Sequence, residues 1–136
     1  MNEVRLIRRV RFRATHHYGR PEWTDERNRR VFGAQAIPHA HDWMVEVHVV
    51  GEVDPETGWV VDLQALDAAL ARLTRDWDGG DLNAVVPSVA AGEMTPSTEN
   101  LARWIFGEIE PRVPSSARLA HVEVFESGDL GARYPG

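Results

Sequence analysis

Three histidines are spaced to share one cation. His39 and His41 flank Ala40, and His16 lies some two dozen residues earlier in the run Phe12-Arg13-Ala14-Thr15-His16-His17. The residues that follow the His39-Ala40-His41 triplet, Trp43 to Val50, alternate as a half-buried strand does. Side chains at i and i+2 on a strand share a face, so His39 and His41 can aim two imidazoles at one point. His16 closes another strand-like run, Arg5 to Ala14, and can supply a third nitrogen from a neighbouring strand. Three neutral imidazoles with a fourth position open are the ligand set of a catalytic Zn2+ rather than a structural one. Alone, an H-x-H pair is also an ordinary surface pattern, so the weight rests on its surroundings.

The elements that must position these groups follow from periodicity and punctuation. Strands are expected over about Val4–Ala14 and Trp43–Val53, with Asp54-Pro55-Glu56-Thr57-Gly58 as a turn and a short third strand at Trp59–Val61. Asp62 caps a helix expected from Leu63 to about Trp77, with Leu63, Leu66, Ala69, Leu70 and Leu73 on one face, stopped by Gly79-Gly80. A second helix is expected from Thr98 as N-cap, with Leu101, Ala102, Ile105 and Ile109 as its buried stripe and Pro111 and Pro114 beyond its end. Leu119–Phe125 reads as the last strand, and the Gly-containing tail from Gly128 as an arm or disordered segment. His17 to Val31 reads as a long polar loop anchored by Trp23. The sum is an α+β unit, an antiparallel sheet with two helices on one face.

Composition bounds the function classes. With 136 residues, 43% hydrophobic and 26% charged, the chain is a single domain spanning residues 1–136. A net charge of −6 argues against a nucleic-acid surface. No apolar run approaches membrane-spanning length, no signal-peptide core opens the chain, and no cysteine is present, so a cytoplasmic protein without disulfides or membrane contact is expected. All 15 basic residues are arginine, and nine fall between Arg5 and Arg30; they are a solvated strand face plus a polar loop, or a cationic rim for a phosphorylated ligand. His48 and His121 lie inside strand patterns and read as surface or sheet-face histidines, while His17 points away from a metal held by His16.

Phe12-x-Ala14-x-His16, Phe32-Gly33, His39-x-His41, Thr57 to Leu63, Asp81-Leu82-Asn83, Pro96 to Ala102 and Val122 to Glu126 occur in that order. The series resembles the 6-pyruvoyl-tetrahydropterin synthase family, which includes the 6-carboxytetrahydropterin synthases, over about residues 4–126. The resemblance implies zinc on His16, His39 and His41, and Glu126 as the carboxylate that binds the guanidine-like edge of a pterin, with Thr98 and Glu99 at the same pocket. It implies the tunnelling fold (T-fold), subunits joined into an oligomeric barrel, a homo-hexamer built as a dimer of trimers. The implied partner is a small pterin-like substrate such as dihydroneopterin triphosphate, and the implied chemistry is carbon–oxygen or carbon–carbon lysis.

The chain departs from the family where protons move. Counting back from His39, Gln35 stands at the usual catalytic cysteine, where other members carry glutamate, and Asp78-Gly79 stands at the usual Asp-His pair. An amide cannot take a proton at neutral pH, so Gln35 can orient a substrate but not act as base. Asp78 is then the candidate base, with Asp42 and Asp81 as further carboxylates. Two other outcomes stay open: a divergent zinc enzyme using the same pocket on a different carbonyl or hydroxy substrate, and a catalytically silent pterin- or purine-binding subunit.

Overall fold

The computed structural model describes residues 2–136. Four antiparallel strands, β1 (Glu3–His16), β2 (His39–Glu52), β3 (Ala117–Phe125) and β4 (Gly131–Tyr134), make one sheet in the order β1-β2-β3-β4. Five helices accompany them: α1 (Asp25–Phe32), α2 (Leu63–Leu73), α3 (Leu82–Val85), α4 (Pro87–Ala90) and α5 (Thr98–Ile109). Alternation decides the layers. Phe12 and Ala14 of β1, Trp43, Val45 and Val47 of β2, and Val122 and Val124 of β3 are buried together with Leu66 and Leu70 of α2 and Leu101, Ala102, Ile105 and Ile109 of α5. The intervening residues Arg5, Ile7, Arg9, Glu46, His48, His121 and Glu123 occupy the helix-free face, paired in register across the strands. None of the helices of the described residues is long and apolar enough to cross a membrane.

Both long strands extend further towards the histidines than expected, because the pairing runs without a break from Glu3↔Glu52 to His16↔His39. The predicted third strand is absent: Asp54 N donates to Trp59 O (2.9 Å) and Gly58 N to Asp54 O (2.7 Å), a closed turn that leaves Trp59–Val61 no strand to pair with. α2 ends at Leu73 rather than near Trp77, where the Thr74 hydroxyl and amide both bond to Leu70 O. Trp77 is apolar for another reason, packing edge-on against Phe12 (5.3 Å) in the core. The N-cap of α5 is Ser97, one residue before the expected Thr98. The polar loop after His17 holds α1, capped by Thr24 and pinned by Trp23, which stacks on Phe32 and lies under the Arg27 guanidinium. The expected disordered tail instead pairs with β3, with Gly131 opposite Phe125, whose ring occupies the space a side chain there would need.

Two short segments strap β1. Gly79 N donates to Arg13 O, Asp78 Oδ1 accepts from Arg13 N (3.0 Å), and Thr15 N donates to Gly80 O, so residues 78–81 run along the outer edge of β1 at its His16 end. Asn83 then clamps the chain just past His16, its Oδ1 accepting from His17 N (2.9 Å) and its Nδ2 donating to His17 O (3.0 Å). Trp43 completes the frame from β2: it is buried, and its indole N–H donates to Ala14 O (3.1 Å). Trp43→Phe removes that donor and part of the ring, leaving a buried carbonyl short of a partner. The expected loss is about 1–3 kcal/mol of stability in urea unfolding. A loss below about 0.5 kcal/mol would mean the frame does not depend on the indole bond.

Candidate metal and ligand site

Strand parity brings the site together. His16, His39 and His41 continue the core-facing series of β1 and β2, and Glu126, one residue past β3, continues the series Val122-Val124. All four emerge at one end of the sheet on the helix-bearing face, above Trp43, whose ring centroid is 4.8 Å from that of His16 and 5.7 Å from that of His41. One ligand nitrogen from each histidine lies within 4.8 Å of the others. The imidazoles meet edge to face, with centroids 4.5–5.2 Å apart, which directs nitrogens rather than ring faces inwards.

Backbone carbonyls set the tautomers. His16 Nδ1 donates to Pro96 O (2.9 Å) and His39 Nδ1 to Ile37 O (2.7 Å). A carbonyl only accepts, so each ring in its neutral form carries its proton on Nδ1 and presents a bare lone pair on Nε2. His16 is fully buried, and burial, with its histidine neighbours adding to it, lowers its pKa to about 4 despite the Pro96 bond. It is therefore neutral at pH 7. The Nε2 atoms of all three histidines are buried without a hydrogen-bond partner among the described residues, and so is Glu126 Oε2. That carboxylate oxygen stands 3.5 Å from His16 Nε2 and 3.7 Å from His41 Nε2. Four unsatisfied polar atoms around one point, at least three of them acceptors, are costly unless something positively charged or proton-donating joins them. The donor set fits a divalent metal of the zinc type.

The other expected residues fall into two groups. Thr98 is buried and its hydroxyl donates to Glu99 Oε1 (2.8 Å), next to the Pro96 carbonyl that holds His16. Gln35 sits exposed in a 3₁₀ turn, Gly33–Ala36, tied to the site by its backbone carbonyl, which accepts from Tyr18 N (2.8 Å). That turn follows α1 only because Gly33 adopts φ 60°, ψ −132°, a region glycine alone enters readily. Asp78 is spent in part on the Arg13 amide, and Asp42 pairs with the Arg13 side chain (2.9 Å). Asp81 caps α3 at Asn83 N. Most early arginines also have partners, Arg8 with Asp67, Arg9 with Glu46 and Arg20 with Glu22, as a solvated polar face does.

Tyr18 was not among the expected residues. Its ring centroid lies 5.3 Å from that of His16, and burial, followed by the charges of Glu126 and Glu99, raises its pKa to about 12. It stays a phenol, a hydrogen-bond donor beside two carboxylates. The signal was its place two residues after His16, on the chain that Asn83 clamps. Beyond it opens a cavity of about 540 Å³ whose lining includes His17, Tyr18, Arg20, Asn28, Arg29 and Ile37.

Residues 5–136 match the family model described as 6-pyruvoyl tetrahydropterin synthase. The human 6-pyruvoyl tetrahydrobiopterin synthase is 31% identical over 98% of this chain and 92% of its own. The dihydroneopterin monophosphate aldolase of Pyrococcus furiosus is 26% identical over 95% of each. Among solved structures, Caenorhabditis elegans 6-pyruvoyl tetrahydropterin synthase superposes with a TM-score of 0.86 at 26% identity, covering 100% of this chain and 97% of that one. The Plasmodium vivax enzyme, 14% identical with a TM-score of 0.65 over 98% of both chains, shares the fold. On the strength of the family match over nearly its whole length, this chain belongs to the 6-pyruvoyl tetrahydropterin synthase family.

Proposed function

We propose that the protein is a zinc-dependent lyase-type enzyme acting on a reduced pterin. The observation that carries this is the convergence of three unsatisfied imidazole nitrogens, two of them fixed as lone-pair donors, beside the unsatisfied Glu126 oxygen. His16, His39 and His41 would hold the zinc, which when bound supplies Lewis acidity towards a side-chain hydroxyl or carbonyl of the substrate. Glu126 accepts two parallel N–H bonds from the pterin's guanidine-like edge, a charge-assisted pairing strengthened by burial. Thr98 and Glu99 close the same side, and Tyr18 donates its hydroxyl proton as a hydrogen bond without giving it up. Arg20 and Arg29, in the wall of the neighbouring cavity, suit a phosphorylated tail. Dihydroneopterin triphosphate or a close analogue meets all three demands; elimination of its triphosphate is one candidate reaction, and the likeness to a dihydroneopterin monophosphate aldolase supports aldol cleavage as the other.

Either reaction needs a group that removes a proton. Gln35 orients but does not abstract, so Asp78 is the proposed base. It lies on the outer edge of β1, where that strand has no neighbour over most of its length and leaves Val4 and Ile7 exposed. A second subunit covering this edge would meet Asp78, and the unpaired edge is what favours assembly into a homo-hexamer with sites shared between subunits. A silent pterin-binding subunit is the second reading. It is favoured by Gln35 and by Gly79, whose φ of 75° strains any other residue placed there, including the family's histidine.

Stoichiometric zinc by elemental analysis is expected for the wild type and lost in His39→Ala or His41→Ala; metal-free wild-type protein would end the zinc assignment. Glu126→Gln should weaken binding of a reduced pterin about tenfold or more, the scale of a charge-assisted bond lost, while zinc remains. Loss of zinc with unchanged pterin affinity would make Glu126 a fourth ligand instead.

Because a positioned base contributes about 10²–10⁴-fold, turnover of dihydroneopterin triphosphate should be slow in the wild type and rise in Gln35→Glu. Asp78→Asn, which keeps an acceptor for the Arg13 amide, should abolish what turnover there is. Residual activity indifferent to Asp78→Asn would refute its role as base, and absence of activity in every variant would favour the silent subunit. Light scattering should give a trimer or hexamer at micromolar concentration, and a monomer would count against shared sites.

A further inference from the structure

A second set of ligating side chains lies on the opposite, helix-free face of the sheet. There β2 sets Glu46 and His48 directly across from Glu123 and His121 of β3. His48 is 6% exposed and His121 8%, although no helix covers them. Their rings lie against each other with centroids 3.8 Å apart. Each carboxylate has one oxygen held from outside the group: Arg9 Nε donates to Glu46 Oε2 (2.7 Å), and Arg133 donates to Glu123 Oε1 (3.2 Å). The other oxygens turn inwards. Glu46 Oε1 is 2.8 Å from His48 Nε2, while Glu123 Oε2 is 3.3 Å from His48 Nε2 and 3.5 Å from His121 Nε2. Such outer bonds to the non-ligating oxygen are what orient carboxylates around a metal.

A hydrogen-bonded lattice of histidine and glutamate accounts for His48, whose Nε2–H donates to Glu46. It does not account for His121, whose Nε2 is buried without a hydrogen-bond partner among the described residues. Ligands about 2.0–2.1 Å from a tetrahedral ion stand roughly 3.4 Å from one another. The separations of 3.3 and 3.5 Å match that spacing, and one atom each of His48, His121 and Glu123 lies within 4.8 Å of the others. We propose that His48, His121 and Glu123, with Glu46 beside them, form a second site for a divalent transition-metal ion of the zinc or cobalt type, separate from the strand-end cage. The ion bridges β2 and β3 next to the bulge between His48 and Val49, where the ladder slips.

One contact opposes the ion and makes the proposal sharper. Arg5 Nη1 lies 3.2 Å from His121 Nδ1, and a guanidinium only donates. In the metal-free protein Nδ1 therefore accepts, and Nε2 carries the proton. Binding transfers the Nε2 proton of each imidazole to its Nδ1 by way of solvent, and Arg5, an exposed side chain, must swing away. His48 Nδ1 is buried without a partner among the described residues, so taking up the proton leaves an unpaired N–H, a second cost set against the ion. Arg5 is thus a competitor with the cation, and Arg9 and Arg133 offset the carboxylate charge, so this site binds more weakly than the cage.

The experiment uses full-length protein carrying His39→Ala and His41→Ala, which removes the cage and makes the outcome independent of its zinc assignment. Titration with Co2+, read by visible absorption and by elemental analysis after dialysis, should show one ion per chain with tetrahedral d–d bands. His121→Ala or His48→Ala added to this background should abolish the bands. Glu123→Gln, nearly isosteric and least disruptive to folding, should weaken binding at least about tenfold. Arg5→Ala should tighten binding by roughly tenfold, the effect of removing one adjacent like charge. Failure of the cage-less protein to bind Co2+, bands that survive both His121→Ala and Glu123→Gln, or weaker binding in Arg5→Ala would each overturn the site.

Discussion

The antiparallel pairing that sets His16 directly against His39 is the constraint on which the rest of the molecule depends. It places two imidazoles opposite each other and, two residues along β2, brings in the third from the same face. Strand side chains alternate with a period of two, so a slip of one residue in this register would send His39 and His41 to the helix-free face and leave His16 alone. The register is therefore protected along its length. Val10 with Val45 and Phe12 with Trp43 bury matched apolar pairs on the core side, and a slip would expose every one of them.

Around that pairing the backbone does the fine positioning. Asn83 holds both the amide and the carbonyl of His17, Gly79 and Gly80 strap Arg13 and Thr15, and the Pro96 and Ile37 carbonyls orient two imidazoles. These contacts come from loops and helix starts far apart in the chain. They explain why Asp81-Leu82-Asn83 and the residues before Thr98 belong to the same recognisable series as the histidines. Leu82 fills the core, Asp81 caps the short helix α3, and Asn83 reaches back to the strand. The electrostatic result is a neutral, dehydrated lone-pair donor in His16 rather than a protonated imidazole, the state a metal requires.

What was legible in the sequence was whatever obeys a period. The two long strands, the apolar faces of α2 and α5, the Asp62 cap and the convergence of the three histidines all follow from alternation or helical spacing. What was not legible depends on partners distant in sequence. Trp77 looked helical because Gly79-Gly80 read as the stop, yet the helix ends at Leu73 and Trp77 packs on Phe12. The tail after Gly128 looked like an arm or disordered segment because Gly weakens a strand, yet Gly131 is what lets β4 lie against the ring of Phe125. Tyr18 escaped notice because its position owes nothing to periodicity: the clamp on His17 and the Gln35 carbonyl deliver it to the site.

The same rule of alternation sorts chemistry onto both faces of one sheet. Along β2 the odd positions His39, His41, Trp43, Val45 and Val47 face the helices, while Asp42, Met44, Glu46 and His48 face away. The first set gathers imidazoles where backbone carbonyls can fix their tautomers and a core tryptophan supports them. The second gathers imidazoles and carboxylates where arginines from β1 and β4 hold the outer oxygens. The difference in charge environment then ranks the two. Among the described residues no cation is drawn into hydrogen bonds with the nitrogens of the cage, whereas the sheet-face group is ringed by Arg5, Arg9 and Arg133. A metal would therefore meet open lone pairs at the strand ends but would have to displace a proton and a guanidinium at the proposed sheet-face site, which would separate a resident ion from an exchangeable one.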